Sequence, residues 1–328
     1  MILTVRGVMS KEPESLQEAI VYFSNPDNCI DYLAIRRWPN GKVTCPTCES
    51  ESVKFNPARR IWQCASHHAK RQFSIKVGTV MEDSAIPLDK WLTAAWLITN
   101  CKNGISSCEI AKDVKVHQKS AWFMLHRIRL VMQDETFGKL GGHVEVDETF
   151  IGGKARNMHL DKRERRITGT GGKDKTIVFG ALERGGKVRV SVVSDRKRTA
   201  LHAVVKENVE VGAALYSDAL KSYDGLAQEY AHKVIDHAEK YVDGQVHTNG
   251  LENFWSLLKR GIAGTYVSVE PFHLFRYLDE QVFRYNNRAT KDCKVTDADR
   301  FSMVVSKLFG KRLTFASLTG KTAETTPF

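Results

Sequence analysis

His143–Phe150, HVEVDETF, sets acids among β-forming apolar residues. Read as a strand, it alternates: Val144 and Val146 point to one face, Glu145 and Asp147 to the other. Three carboxylates (Glu145, Asp147 and Glu148) fall within four positions, and Gly152-Gly153 closes the run. A carboxylate in such apolar company is costly unless it is paired or holds a metal. Two further acids stand downstream in matching settings. The apolar run Ala213–Ser217 ends at Asp218, and Glu252 opens an amphipathic helix beginning at Asn249. Two acids at strand ends and one on a helix can gather round a pair of divalent cations.

The elements between these acids follow a definite order. Thr176–Glu183 and Lys187–Ser194 read as strands joined by the turn Arg184-Gly185-Gly186. Thr199–Asn208 reads as a helix, Ala213–Ser217 as a strand, Tyr223–Tyr230 as a helix, and Lys233–His237 as a short strand before the Glu252 helix. A three-strand meander followed by alternating helices and strands predicts a mixed sheet covered by helices, an α/β (α+β) class. It is also the element order of the RNase H-like fold. The 34 residues from Asp218 to Glu252 leave room for the helix–strand–helix that must separate them. On the last of these helices Glu252, Ser256 and Lys259 share a face. Lys259 is thereby placed to hold a DNA phosphate. Asn249 stands at the helix entrance, where it caps the helix or touches substrate. Pro271–Asn287 follows as a helix with an apolar stripe.

Upstream, three segments precede the sheet domain. Residues 10–37 read as helix, capped by Ser15 and split at Asn25-Pro26-Asp27. Residues 38–80 carry Cys45-Pro-Thr-Cys48, a hairpin-like stretch, Cys64 and His67-His68. A C-x2-C knuckle followed at hairpin distance by C-x2-H or C-x3-H supplies four tetrahedral ligands for one structural Zn²⁺. Spacing leaves His67 and His68 both open. The segment is too short for a core of its own, so metal supplies most of its folding energy. Residues 86–133 read as a buried helix from Leu88, a short helix from Ser107, a tight turn, and a longer helix Gln118–Met132. Short helix, tight turn, longer helix is the helix-turn-helix pattern. The expected DNA-facing residues are Gln118, Lys119 and Ser120 at its start and His126, Arg127 and Arg129 further along.

Net charge is +11 with a sequence pI near 9.3, which points to a polyanionic partner. Much of the excess lies in the loop 152–175, where Lys154, Arg156, Arg163, Arg165 and Arg166 are concentrated. With no apolar periodicity, that loop reads as mobile until nucleic acid orders it. No apolar run approaches the roughly 20 residues of a membrane helix, and the N-terminus is too polar for a secretory signal. A cytoplasmic, nucleoid-associated protein with no membrane partner is the expectation. Beyond residue 290 a short amphipathic piece, Phe301–Phe309, precedes a polar tail; 291–328 is read as a C-terminal tail.

Longer runs carry a family likeness. WPNGKVTCPTC, RQFSIKVGTVMEDSAIPLDKW, SAWFMLHRIR, VEVDETFIGGK, LYSDALKSYDGL, HTNGLENFWSLLKRGIAGTY and RYLDEQVFRYNNR together span roughly residues 30–288. In these runs the chain resembles DDE transposases of the Merlin type and their ISXO-like bacterial insertion-sequence relatives with an N-terminal zinc ribbon. The resemblance implies an RNase H-like catalytic domain over 140–290. It implies binding of element ends and target as double-stranded DNA by a homodimer or higher oligomer. Cleavage and strand transfer would be carried by Asp147, Asp218 and Glu252 with two Mg²⁺ or Mn²⁺. Relatives vary at the third acidic position, some reading Asn; Glu252 matches better than Asn249, with Lys259 seven residues on. Many relatives close the zinc site with C-x2-C. Here the closing ligand is a histidine, and the KRQFS run aligns best from His68, giving Cys45, Cys48, Cys64 and His68. A stand-alone RNase H-like nuclease or resolvase would share the acids but needs neither ribbon nor helix-turn-helix. A zinc-ribbon regulator would leave the acids incidental.

Overall fold

The computed structural model describes residues 11–133, 138–153, 159–166, 175–218, 220–235, 247–291 and 293–321. Within them the chain divides into two compact units. One comprises the described residues of 11–133 with 287–321, the other those of 138–286.

The first unit opens with α1 (Leu16–Phe23) and α2 (Pro26–Arg37). Ser15 accepts the Glu18 amide and Asn25 accepts that of Asp27, so each helix is capped from the residue the sequence places before it. A small antiparallel sheet follows: β1 (Val53–Asn56), β2 (Ile61–Cys64) and β3 (Gln72–Phe73). With so few residues, its core is mainly aromatic. Trp62 is buried against Trp38, Phe55 and Phe73, at ring separations of 5.5, 4.8 and 5.9 Å. Then come α3 (Leu88–Asn100), α4 (Ser107–Asp113) and α5 (Gln118–Met132). A capping box between Ser106 and Glu109 starts α4, and the turn into α5 passes through Lys115 at a φ of +50°.

The second unit is built on a five-stranded sheet. Its strands are β4 (His143–Ile151), β5 (Thr176–Glu183), β6 (Val188–Val193), β7 (Ala214–Asp218) and β8 (Ala231–Ile235). They lie in the order β6-β5-β4-β7-β8, with the β4–β5–β6 meander antiparallel and β7 and β8 parallel to β4. This mixed sheet is the RNase H-like arrangement the element order predicts. The alternation in HVEVDETF sorts the two faces. Val144 and Val146 join Phe179, Ala181, Leu201, Val205 and Leu215 in a core beneath α7 (Arg198–Asn208). On the opposite face Val178, Leu182 and Val188 pack with Leu251, Phe254, Trp255 and Leu258 of α8 (Asn249–Gly261), and with α9 (Leu274–Asn286).

Three expectations change. The segment 223–230 is not one helix but two 3-10 turns, Lys221–Tyr223 and Leu226–Gln228. Gly225 between them sits at a φ of +89°, which no α-helix accommodates. The basic loop is not structureless: α6 (Leu160–Arg166) forms within it, because LDKRERR consists of good helix formers with Asp161 in the first turn. Residues 154–158 and 167–174, which include Lys154 and Arg156, lie outside the described residues, as do the side chains of Arg165 and Arg166 and the last two residues of the strand expected at 233–237. Finally, the stretch after 290 belongs to the first unit. There α10 (Asp297–Ser306), started by a Thr296–Asp299 capping box, brings Phe301 against Phe23, Tyr32 and Trp96, followed by the short α11 (Phe315–Leu318). The end of the polar tail, 322–328, lies outside the described residues. Among the described residues no helix is long and apolar enough to cross a membrane.

Candidate active site and metal centre

Asp147 lies in the middle of β4, on the face covered by α8. Its Oδ1 accepts the Glu148 amide at 2.8 Å and its Oδ2 accepts the indole N–H of Trp255 at 2.9 Å. Burial pushes this carboxyl up to about 7, helped by the charges of Glu148 and Asp218 and opposed by the Trp255 hydrogen bond. Parallel pairing places the second acid. Glu145 pairs with Tyr216, so two residues further on Asp147 comes level with Asp218 at the end of β7. The Asp218 Oδ1 accepts the Leu220 amide at 3.1 Å, which turns the chain away from the strand. Glu148, the next residue of β4, turns to the α7 side: burial and Asp218 hold its carboxyl up, against the Tyr223 hydroxyl at 2.8 Å and Arg196 at 3.6 Å.

The third acid comes on α8. Leu251, Phe254, Trp255 and Leu258 are buried, whereas Glu252, Ser256 and Lys259 are exposed, the shared face the sequence predicts. Glu252 is one turn ahead of Trp255, whose side chain reaches Asp147. The helix can lie this close only because of two glycines. Gly180 pairs directly across from Asp147, and a Cβ there would stand 2.6 Å from the Trp255 ring. At Gly250 a Cβ would stand 2.3 Å from Leu182 and 2.8 Å from Glu145. Gly180→Ala should therefore displace the indole and break its bond to Asp147. A changed tryptophan emission should report the displacement, and a native spectrum would show that the indole stays in place.

The sequence leaves the roles of Asn249 and Glu145 open, and the structure narrows both. Asn249 does not cap α8: Thr248 is the N-cap residue, without a side-chain capping bond, and Asn249 is exposed within the first turn. Glu145, one of the three clustered carboxylates, is only 1% exposed and is fully engaged. Arg184 donates to it at 2.8 Å, His247 lies at 3.3 Å, and it accepts the Leu251 amide at 3.1 Å. Nothing in the sequence pairs Arg184, in a hairpin turn, with a strand acid 39 residues away.

The zinc ribbon gathers Cys45, Cys48, Cys64 and His68, whose ligand atoms all lie within 4.8 Å of one another. Among the described residues this is the set of metal-ligating side chains drawn close enough to hold an ion; the three acids are not drawn that close. Cys45 Sγ is 3.5 Å from His68 Nε2, and Cys48 Sγ is 3.6 Å from Cys64 Sγ. A tetrahedral zinc with bonds of about 2.3 Å to sulfur and about 2.0–2.1 Å to nitrogen has edges of roughly 3.8 and 3.5 Å, so the group fits. Burial alone would raise the Cys64 thiol, but bonds from His68, Ser66 and Cys48 bring it down to about 6, towards the thiolate a metal needs. His67 is exposed and outside the cluster. Asp147, Asp218 and Glu252 offer only oxygen donors, the type that hard cations take, and the Asp147 carboxyl is raised to about 7 by burial first and by Glu148 and Asp218 after it.

A short helix (α4), a tight turn and a longer helix (α5) follow one another, but not all the basic residues of α5 face outward. Gln118 and Lys119 are exposed at the start of α5, with Gln118 donating to Ser107 at 2.8 Å. His126, Arg127 and Arg129 are buried. Arg127 donates to the carbonyls of Glu82 at 2.9 Å and Leu313 at 3.1 Å, so its charge ties α5 to its neighbours rather than meeting phosphate. Arg163 on α6 is exposed.

The sequence comparisons bear on both units. A model described as an ISXO2-like transposase domain matches residues 139–286, and one described as a transposase zinc-ribbon domain matches residues 24–69. An uncharacterized transposase-like protein of Haemophilus influenzae is 30% identical over 106 residues, 32% of this chain and 85% of that protein. The chain belongs to the ISXO2-like transposases. An uncharacterized protein in transposable element ISH50 of Halobacterium salinarum is also similar, at 28% identity over 252 residues, covering 74% of this chain and 84% of the relative. This transposase therefore pairs a zinc-ribbon unit with an RNase H-like one. All four cysteine and histidine ligands fall within the matched ribbon, and all three acids fall within the matched transposase domain.

Proposed function

We propose that this transposase binds the ends of its own insertion element and cuts and joins DNA there, using Asp147, Asp218 and Glu252 as the ligands of two Mg²⁺ or Mn²⁺. The observation that carries the reading is Asp147 itself: a half-buried carboxyl level with Asp218 on the neighbouring strand, bonded to Trp255 of the helix that carries Glu252, and pushed up to about 7. Bound cations would polarise the scissile phosphate and lower the pKa of the attacking oxygen. The chain's own residues do the rest. Trp255 and the Glu148 amide hold the Asp147 carboxylate in one orientation. Lys259, exposed two turns beyond Glu252 on the same helix face, holds a phosphate of the bound strand. Asn249, exposed in the first turn, contacts the same DNA.

End recognition falls to the ribbon (38–80), with one structural Zn²⁺, and to the helix-turn-helix (86–133), where Gln118 and Lys119 meet the DNA. We assign the protein to the cytoplasm, associated with the nucleoid, and to a homodimer or higher oligomer on DNA, since two ends must be brought together. The test is direct. The purified protein, incubated with its own flanking DNA and Mg²⁺, should cut at the element boundary and join that end to a target. Cuts scattered without regard to the boundary would favour a plain nuclease.

The basic segment supports a separate expectation. If Arg163, Arg165 and Arg166 contact phosphates, neutralising all three should flatten the salt dependence of DNA binding by up to roughly 0.9 units of log–log slope per lost contact, equally for any sequence. An unchanged slope would make α6 a solvated insertion.

A further inference from the structure

We propose that Glu145 is a positioning residue: tied to Arg184 and His247, it sets where helix α8 begins and so where Glu252 stands relative to Asp147. The proposal rests on the assignment of Asp147, Asp218 and Glu252 as the reacting carboxylates.

Glu145 is 1% exposed, and both its oxygens face donors of the protein. Oε1 receives the Arg184 guanidinium at 2.8 Å and faces His247 at 3.3 Å; Oε2 receives the Leu251 amide at 3.1 Å. The last bond matters most. Every α-helix begins with amides that lack partners, and a side chain just ahead of it normally accepts one. Helix α8 has no such side-chain cap from Thr248. Its acceptor comes instead from the sheet, two residues ahead of Asp147 on β4. The negative charge also lies at the positive end of the helix dipole.

The apolar residues of α8 bury it but do not set its register. Apolar contact is non-directional, and a slip of one residue would move Glu252 by about 1.5 Å and turn it by about 100°. Two directional bonds prevent this, one turn apart: Leu251 N–H to Glu145 and the Trp255 indole to Asp147. Both end on the strand that carries the first acid. Gly250 and Gly180 make room for each.

Arg184 extends the brace to the second acid. Its guanidinium lies 4.1 Å from the Tyr216 ring centre on β7, two residues before Asp218, and donates to the His247 carbonyl at 2.6 Å, just before α8. One side chain thus touches the strand or helix entrance of all three acids. A buried ion pair is poor evidence for stability, since apolar substitutes often serve as well. Its advantage here is direction, which apolar packing lacks.

The experiment compares Glu145→Gln and Glu252→Gln in the full-length protein. The readouts are cleavage of an element-end duplex across a Mn²⁺ titration, Mn²⁺ binding without DNA by electron paramagnetic resonance, end binding and thermal melting. Glutamine at 145 keeps shape and one acceptor but loses the charge that holds Arg184. If Glu145 positions, Glu145→Gln should bind ends normally but need ten- to hundredfold more Mn²⁺, both to bind the metal and to cleave. Its rate should approach the native one at saturating metal, because the ion then selects the correctly placed helix. Glu252→Gln should not recover at any concentration. A native Mn²⁺ response in Glu145→Gln, beside an inactive Glu252→Gln, would overturn the positioning role alone. So would a loss in Glu145→Gln that no metal restores, or one that merely follows its melting temperature. Native cleavage by Glu252→Gln would overturn the ligand assignment, and the positioning role with it.

Discussion

Alanine at Asp147, Asp218 or Glu252 should abolish cleavage and joining, by about 10³-fold or more, while element-end binding stays within about twofold of the native protein. The separation is expected because the acids lie in the RNase H-like unit whereas the zinc ribbon and helix-turn-helix lie in the other. A site that must hold two cations loses its grip when one of three carboxylates goes. The Asp147 variant carries a second, opposite effect. In the folded protein this carboxyl titrates near 7, well above the ordinary value of 3.8 that the unfolded chain retains. Between those pH values the folded state holds a proton the unfolded state has lost. Stability therefore falls as pH rises through that window and stays low above it. Asp147→Ala removes this cost, so in metal-free buffer at pH 8 it should melt no lower than the native protein, and at pH 4 the advantage should vanish. Element-end cleavage assays and melting curves at the two pH values check both halves. Cleavage by all three alanine variants would end the two-metal reading. Cleavage by Glu252→Ala but not by Asn249→Ala would mean that the third ligand is the asparagine.

Cys45→Ser or Cys64→Ser should release zinc and abolish end binding, while the RNase H-like unit stays folded. The ribbon has three short strands and a core centred on one tryptophan, Trp62. Against this small core stands a metal whose binding in comparable peptides is worth about 10–16 kcal/mol near neutral pH. Losing one thiolate should thus unfold the ribbon rather than loosen it. A chelator should do the same to the native protein and be reversed by added Zn²⁺. Metal analysis should find about one zinc per chain. Full occupancy in a Cys45/Cys48 double variant would rule out the assignment, and loss of zinc from His67→Ala but not from His68→Ala would place the fourth ligand wrongly.

Much of the architecture was legible because it depends on local chemistry. Alternation along HVEVDETF sorted Val144 and Val146 from Glu145 and Asp147 before any packing was known, and the structure keeps that sorting. The order of strands and helices predicted the mixed sheet. The Ser15 cap and the break at Asn25-Pro26-Asp27 mark off α1 and α2, and the helix read from Ser107 is α4. Cysteine spacing predicted the ribbon, since four ligands round one ion must come from two knuckles a hairpin apart. The choice between His67 and His68 was different. Neighbours in sequence point in different directions, and only the folded loop brings His68 to Cys45.

What the tertiary structure alone decided are the partners of charged groups. Arg127 has the composition of a DNA contact, yet it is buried on the carbonyls of Glu82 and Leu313, the second of them 186 residues away. Glu145 and Asp147 stand on the same face of one strand. One is paired by Arg184 and closes a helix end; the other is pushed up in pKa by burial and then by Glu148 and Asp218. The stretch after 290, read as a tail that opens with an amphipathic piece, sends Phe301 back to Phe23, Tyr32 and Trp96. Side-chain period, capping and ligand spacing act over a few residues and are written into the sequence. Whether a charge meets solvent, a carbonyl or an opposite charge depends on residues brought close only by the fold, and the sequence by itself does not carry that information.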